Sequence, residues 1–178
     1  MASEFQRRKV AAVFGAMDQA GRGYLVEGDF EALAERWTTR RGVAPGSARY
    51  ELLRRVMLGW WGSLSSSARE ASRVTLEDVL TVVDLLPAMP DSVHATADAM
   101  FEAVDENADE RISSSEYRSL IEAWNGRPTD TDAVFFRLDL DGDGYLSRAE
   151  FRELWTEFWA GDVPGEPGTW VFGETAAA

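Results

Sequence analysis

Residues 139–150 read DLDGDGYLSRAE, with carboxylates at Asp139, Asp141 and Asp143 and a glutamate, Glu150, closing the stretch. Three like charges within five residues repel one another unless a cation sits among them. Alternate positions of a curled loop can aim their oxygens at one point, and hard divalent cations take oxygen ligands. Calcium takes about six to eight of them at roughly 2.3–2.6 Å. Asp139, Asp141 and Asp143 would supply carboxylates, Tyr145 its backbone carbonyl, Ser147 a side chain or a held water, and Glu150 two oxygens. Gly144 allows the positive φ that the sharp turn needs.

A distorted copy, DENADERISSSE, occupies residues 105–116. Asp105, Asn107, Asp109 and Glu116 stand in the same ligand positions, Arg111 offers its carbonyl and Ser113 takes the ninth place. The departure is Glu110, where glycine is expected. A non-glycine residue held at positive φ costs about 1 kcal/mol, roughly fivefold in affinity at about 1.4 kcal/mol per factor of ten. Every oxygen ligand remains, and Glu106 and Glu110 partly offset the strain by adding negative potential. The copy therefore reads as a second, weaker calcium site, with magnesium a competitor at both.

Composition excludes most other chemistry. There is no cysteine, and His94 is the one histidine, so thiolate and histidine zinc clusters are ruled out. A single histidine builds no nucleophile–base pair, and His94, at the polar start of a helix, reads as a surface or capping residue. No glycine-rich phosphate loop is present. The net charge of −13 disfavours nucleic acid and anionic membranes and suits cations or basic partners. The start MASEFQRRKV lacks the apolar run of a signal peptide, and no stretch reaches 18 apolar residues, so a cytoplasmic protein is expected. Seventeen Arg against one Lys, with abundant Ala and Gly, fit a GC-rich bacterial genome. Seven Trp and nine Phe in a 45% hydrophobic chain are enough for a substantial core.

The elements that position the loops emerge from a repeat. After Glu150, apolar residues fall at Phe151, Leu154, Trp155 and Phe158, one face of an α-helix. The same offsets after Glu116 give Tyr117, Leu120, Ile121 and Trp124. After Asp29 they give Phe30, Leu33, Ala34 and Trp37, and after Asp78 Val79, Val82, Val83 and Leu86. Helical faces also precede Asp18, Asp105 and Asp139. Each unit is thus helix, loop, helix, with an apolar residue at the eighth loop position: Leu25, Ile112 and Leu146. The second unit falls into register only if its loop is 14 residues long, 65–78, which restores Met57, Trp60, Trp61 and Leu64 to one face and places Val74 opposite Leu25.

Helices are expected near 3–17, 27–40, 46–64, 76–86, 92–104, 114–125, 130–138 and 148–160. Pro87 and Pro90 break the chain into halves. The first loop, 18–29, has Ala20 and Arg22 where carboxylates belong and ends on the short Asp29; the second has Arg69 and Arg73. Neither is expected to bind. The fold class is all-α: four units in two paired lobes forming a compact globule, with short β-bridges between paired loops. The amino-terminal pair spans 1–88, the carboxy-terminal pair 89–161. The tail 162–178, rich in Gly and Pro and excluded from helix, is expected to dock through Trp170, Val171 and Phe172.

The pattern of 139–150 is that of an EF-hand loop, D-x-[DN]-x-[DN]-G-x5-E. Four such units in a chain of this length, an expanded first pair (loop starts 47 residues apart against 34 in the second) and the tail GTWVFG resemble the sarcoplasmic calcium-binding proteins of the bacterial, calerythrin-like branch. The resemblance covers nearly the whole chain and implies a compact globule that acts as a calcium buffer or transporter, with signalling a further role of the family; a monomer without enzymatic activity is expected. The family's first loop usually binds, which Ala20, Arg22 and Asp29 put in doubt here. A sensor that exposes an apolar groove to a target protein is the alternative, although five Met against twenty aromatic residues disfavour a pliable groove and no target is indicated. Calcium-triggered photoproteins share the four units but rely on several histidines.

Overall fold

The computed structural model describes residues 2–174. Eight α-helices form among these residues: α1 (Glu4–Met17), α2 (Glu27–Arg40), α3 (Ala48–Ser67), α4 (Leu76–Val83), α5 (Pro90–Val104), α6 (Ser114–Asn125), α7 (Asp132–Leu138) and α8 (Arg148–Trp159). Four short strands separate them in pairs: β1 (Tyr24–Leu25), β2 (Val74–Thr75), β3 (Arg111–Ser113) and β4 (Tyr145–Ser147). The starts are written in the sequence. Ser3 and Ser47 accept the backbone N–H groups of Gln6 and Tyr50, capping α1 and α3. Pro90 opens α5 at its first position, where the missing N–H costs nothing.

The expected bridges form in the expected register. Leu25 pairs with Val74 and Ile112 with Leu146, both antiparallel, and all four side chains are buried. Each bridge ties two loops back to back.

Two expectations need correction. The second loop does not begin at residue 65, because α3 continues through Ser67 with Ala68 as its cap. The face inferred for this helix is right: Met57 is buried, and Trp60, Trp61 and Leu64 pack against the core. The extra residues are absorbed as another helical turn rather than as loop, and the Ser65, Ser66 and Ser67 hydroxyls donate back to the Gly62 and Ser63 carbonyls within it. The tail also contains a turn of 3-10 helix, Pro167–Trp170, where no helix was expected.

The tail docks as its composition requires. Val171 and Phe172 are buried, and the Tyr117 hydroxyl donates to the Trp170 carbonyl at 3.1 Å. Gly168 lies so close to α8 that a Cβ would stand 2.3 Å from the Leu154 carbonyl oxygen, so only glycine fits. Residues 175–178, the last of the segment expected to dock, lie outside the described residues.

The lobes share one core. Trp60 of α3 places its ring 5.4–6.0 Å from those of Trp124, Trp155 and Trp159, and Phe172 from the tail inserts beside Trp124, Trp155, Phe158 and Trp159. Helix α2 packs on both α3 and α6, and α5 on α8. Among the described residues, no helix is long and apolar enough to cross a membrane.

Candidate metal centre

Loop 139–150 runs from the end of α7, through β4, into α8. Asp139 caps the end of α7 and turns its carboxylate into the loop, where Oδ1 accepts the N–H groups of Gly142 (2.9 Å) and Asp143 (3.2 Å) and Oδ2 that of Gly144 (2.8 Å). Gly142 and Gly144 sit at φ 73° and 87°, which carries the chain around the carboxylates without strain. Carboxylate oxygens of Asp139, Asp141 and Asp143 all lie within 4.8 Å of one another. From the far side, Glu150 accepts the Leu140 N–H on Oε1 and the Ser147 N–H on Oε2.

Like charge at this density disturbs titration. The Asp143 N–H donates to Asp141 and favours its ionised form, but burial and the charges of Asp143, Glu150 and Asp139 outweigh it, so the Asp141 pKa is raised. An oxygen-rich, net negative cup of this kind fits a hard divalent cation.

Loop 105–116, between α5 and α6 by way of β3, has the same frame. Asp105 accepts the N–H groups of Asp109 (3.2 Å) and Glu110 (3.0 Å), and Glu116 those of Glu106 (2.7 Å) and Ser113 (2.8 Å). Asp105 and Glu116 are more buried than their counterparts, at 6% and 7% exposure. No trio of acids converges here as it does in loop 139–150. Asp109 is engaged instead by the Asn107 amide (3.1 Å) and by Arg111 (3.3 Å). Burial pushes the Asp109 carboxyl up, yet these donors outweigh it and hold its pKa below the ordinary value.

Glu110 does adopt the left-handed conformation expected of it, at φ 67°. Ala108 does so too, at φ 58°, a second strained position that sequence reasoning missed. The signal was available: Gly21 and Gly142 occupy that fourth position in loops 18–29 and 139–150, so of the three loops that open on aspartate 105–116 alone lacks both glycines.

The ninth-position serines have local partners. The hydroxyls of Ser113 and Ser147 each donate to the glutamate three residues on at 2.7 Å and accept its N–H, which caps α6 and α8. Tyr145 and Arg111, assigned backbone carbonyls, lie on the bridge strands, and the Arg111 guanidinium sits 4.1 Å from the centre of the Tyr145 ring. This contact joins the two loops.

The other two loops are closed by arginine. Arg22 donates to both carboxylate oxygens of Asp29, and Arg69 donates from Nε to Asp78 at 3.1 Å. Both relic loops thus carry an internal cation against the acid that would otherwise close on metal. His94 lies on α5 and shares a shallow depression with Ala149, Arg152 and Glu153 of α8.

Residues 131–155 match the family model of the EF hand. Among solved structures, the Streptomyces coelicolor calcium-binding protein is 25% identical, with a TM-score of 0.71 over 90% of this chain and all of that one. The calcium-loaded apo form of the coelenterazine-binding protein of Renilla muelleri matches with a TM-score of 0.75 at 21% identity, covering 97% of this chain and 99% of that one. An amphioxus sarcoplasmic calcium-binding protein matches with a TM-score of 0.70 at 17% identity, covering 97% and 98%. No curated protein sequence matches. The family match and the loop geometry place an EF hand at residues 131–155, and the fold is the one these solved structures share. Calcium-loaded apo-aequorin, a photoprotein, shares the fold as well, with a TM-score of 0.71 at 14% identity over 92% of this chain and 95% of that one.

Proposed function

We propose that the chain binds two calcium ions, the tighter at 139–150 and the weaker at 105–116, and acts as a calcium buffer. The observation that carries this reading is the convergence of Asp139, Asp141 and Asp143 within 4.8 Å in a loop closed by Glu150. In the first site these four side chains and the Tyr145 carbonyl would hold the ion, with a water oriented by Ser147. In the second, Asp105, Asn107, Asp109, Glu116 and the Arg111 carbonyl would do so, with Ser113 in the same supporting place. Calcium tolerates the irregular geometry, whereas magnesium, which demands a near-ideal octahedron, would compete less well. The two sites share the Ile112–Leu146 bridge, so their binding is coupled. The protein is read as monomeric and cytoplasmic.

Buffering is favoured over sensing by the tail, because Phe172 fills the aromatic space between α6 and α8 that a target helix would enter. The sensor reading has one support: the Streptomyces protein is described as acting in calcium-mediated regulation. Fluorescence of an apolar dye, with and without calcium, separates them. A buffer leaves the dye signal unchanged, and a large calcium-dependent rise would establish the sensor.

A further inference from the structure

A helix leaves its last carbonyls without intrahelical partners, and cations placed there are favoured. Helices α5, α6 and α8 carry no basic residue in their own last turns. The amino-terminal half supplies the missing donors. Lys9 of α1 donates to the Glu157, Phe158 and Gly161 carbonyls at the end of α8, and Arg36 of α2 donates to Ala123 near the end of α6 at 3.0 Å. At the end of α5, Arg41 donates to Ala103 at 2.7 Å. Arg49 donates to Glu102 at 2.9 Å, to Ala103 at 3.0 Å and to the Asp105 carbonyl. Helix α7 has its own Arg137 in its last turn.

Of these three attachments, only the one at α5 touches the entrance of a cation loop. Asp105 is both the cap of α5 and the first ligand position of 105–116. Arg41 also pairs through Nε with Glu106 at 3.1 Å, and its side chain is only 2% exposed. The entrance so gripped belongs to the loop that carries two strained residues, Ala108 and Glu110. The comparable entrance at Asp139 leads into a loop with both glycines.

We propose that Arg41 and Arg49 are positioning residues for loop 105–116, and that through them the amino-terminal lobe, itself without a cation site, sets that loop's affinity. This rests on the reading of 105–116 as a calcium site. The planar guanidinium of Arg49 spans three carbonyls and holds the Asp105 backbone where its carboxylate faces the loop, a task that a point-charge ammonium does not reproduce. Coupling is reciprocal, so calcium at 105–116 tightens the contact between the lobes by the same factor. The metal-free lobe thereby responds to calcium it does not bind.

Two opposed effects must be separated, since a guanidinium near a divalent ion also repels it. Arg49→Lys keeps the charge and loses the fork; Arg49→Gln loses both. Amide hydrogen exchange in the metal-free protein reads the positioning directly. Under Arg49→Lys the Glu106 and Asn107 amides, which donate to Glu116, are expected to exchange about tenfold faster, with Leu140 unchanged. Calcium affinity of loop 105–116, measured in the Glu150→Gln protein, is expected to fall about fivefold to tenfold with Arg49→Lys added. Unchanged exchange at Glu106 and Asn107 would overturn the proposal. So would an affinity that Arg49→Lys leaves alone and Arg49→Gln raises, which is the signature of charge alone. If the Glu150→Gln protein bound no calcium, the assignment of the site would fail, while the exchange measurement would still decide the positioning.

Discussion

Arg22 lays its guanidinium against both carboxylate oxygens of Asp29, at 2.7 and 2.5 Å, so the first loop closes around a cation of its own. The Asp18 carboxylate accepts the Arg22 and Gly23 N–H groups, preserving the loop frame that the two other aspartate-led loops use. A relic loop therefore stays folded without metal. Arg22→Ala should destabilise the metal-free protein by about 1–2 kcal/mol in denaturant unfolding, because a part-buried carboxylate loses its partner. It should leave the calcium stoichiometry unchanged. The triple change Ala20→Asp, Arg22→Asp and Asp29→Glu should instead add one bound calcium.

The second relic loop sets an acid limb on stability. Burial pushes the Asp78 carboxyl up, but the hydroxyl and N–H of Thr75 and the donors of Arg69 outweigh it and hold it at about 2. The folded value lies below the ordinary carboxylate value of about 4. Asp78 thus contributes stability above pH ~4, and that contribution is lost as pH falls toward 2. The loss is roughly 2 kcal/mol. Unfolding of the metal-free protein at stepped pH should show it in the wild type and not in Asp78→Asn; parallel curves would contradict the assignment.

Strain in loop 105–116 is reversible by glycine. Holding an alanine at φ 58° costs about 1–2 kcal/mol, while glycine gives back about 0.4–1 kcal/mol through the freer unfolded chain. Ala108→Gly should therefore stabilise the metal-free protein by up to about 1 kcal/mol and, because the strain is present before any ion enters, leave the calcium affinity of this loop nearly unchanged. It is cleaner than Glu110→Gly because no charge changes.

The tail's anchor is Phe172, 3% exposed and ringed by Trp124, Trp155, Phe158 and Trp159. Phe172→Ala should cost about 3 kcal/mol in thermal or denaturant unfolding. It should also raise apolar dye binding with or without calcium, since the groove is then uncovered.

Periodicity made the helices legible. Offsets counted from Glu150 placed Phe151, Leu154, Trp155 and Phe158 on one face, and all four are buried. The eighth-position rule gave Ile112–Leu146 and the Leu25 side of the other bridge, and register counted back from Asp78 gave its Val74. What stayed hidden has no period. The end of α3 falls in a run of serines that carries no apolar spacing, and the 3-10 turn of the tail packs closely on α8. Arg22 and Arg69 were legible as charges hostile to metal, but not as the groups that close their loops. Lys9, Arg36, Arg41 and Arg49 reach carbonyls many residues away, and a backbone carbonyl leaves no trace in residue type. Position 108 is legible beside Gly21 and Gly142, which show that the fourth loop position, like the sixth, calls for glycine.

The central claim, two calcium ions in the carboxy-terminal pair and none in the amino-terminal pair, is tested most directly by calorimetric calcium titration of the wild type beside Glu150→Gln and Glu116→Gln. The account predicts two ions for the wild type and one for each variant, with Glu116→Gln retaining the tighter. Three or more ions in the wild type, none at all, or two still bound after either substitution would contradict it.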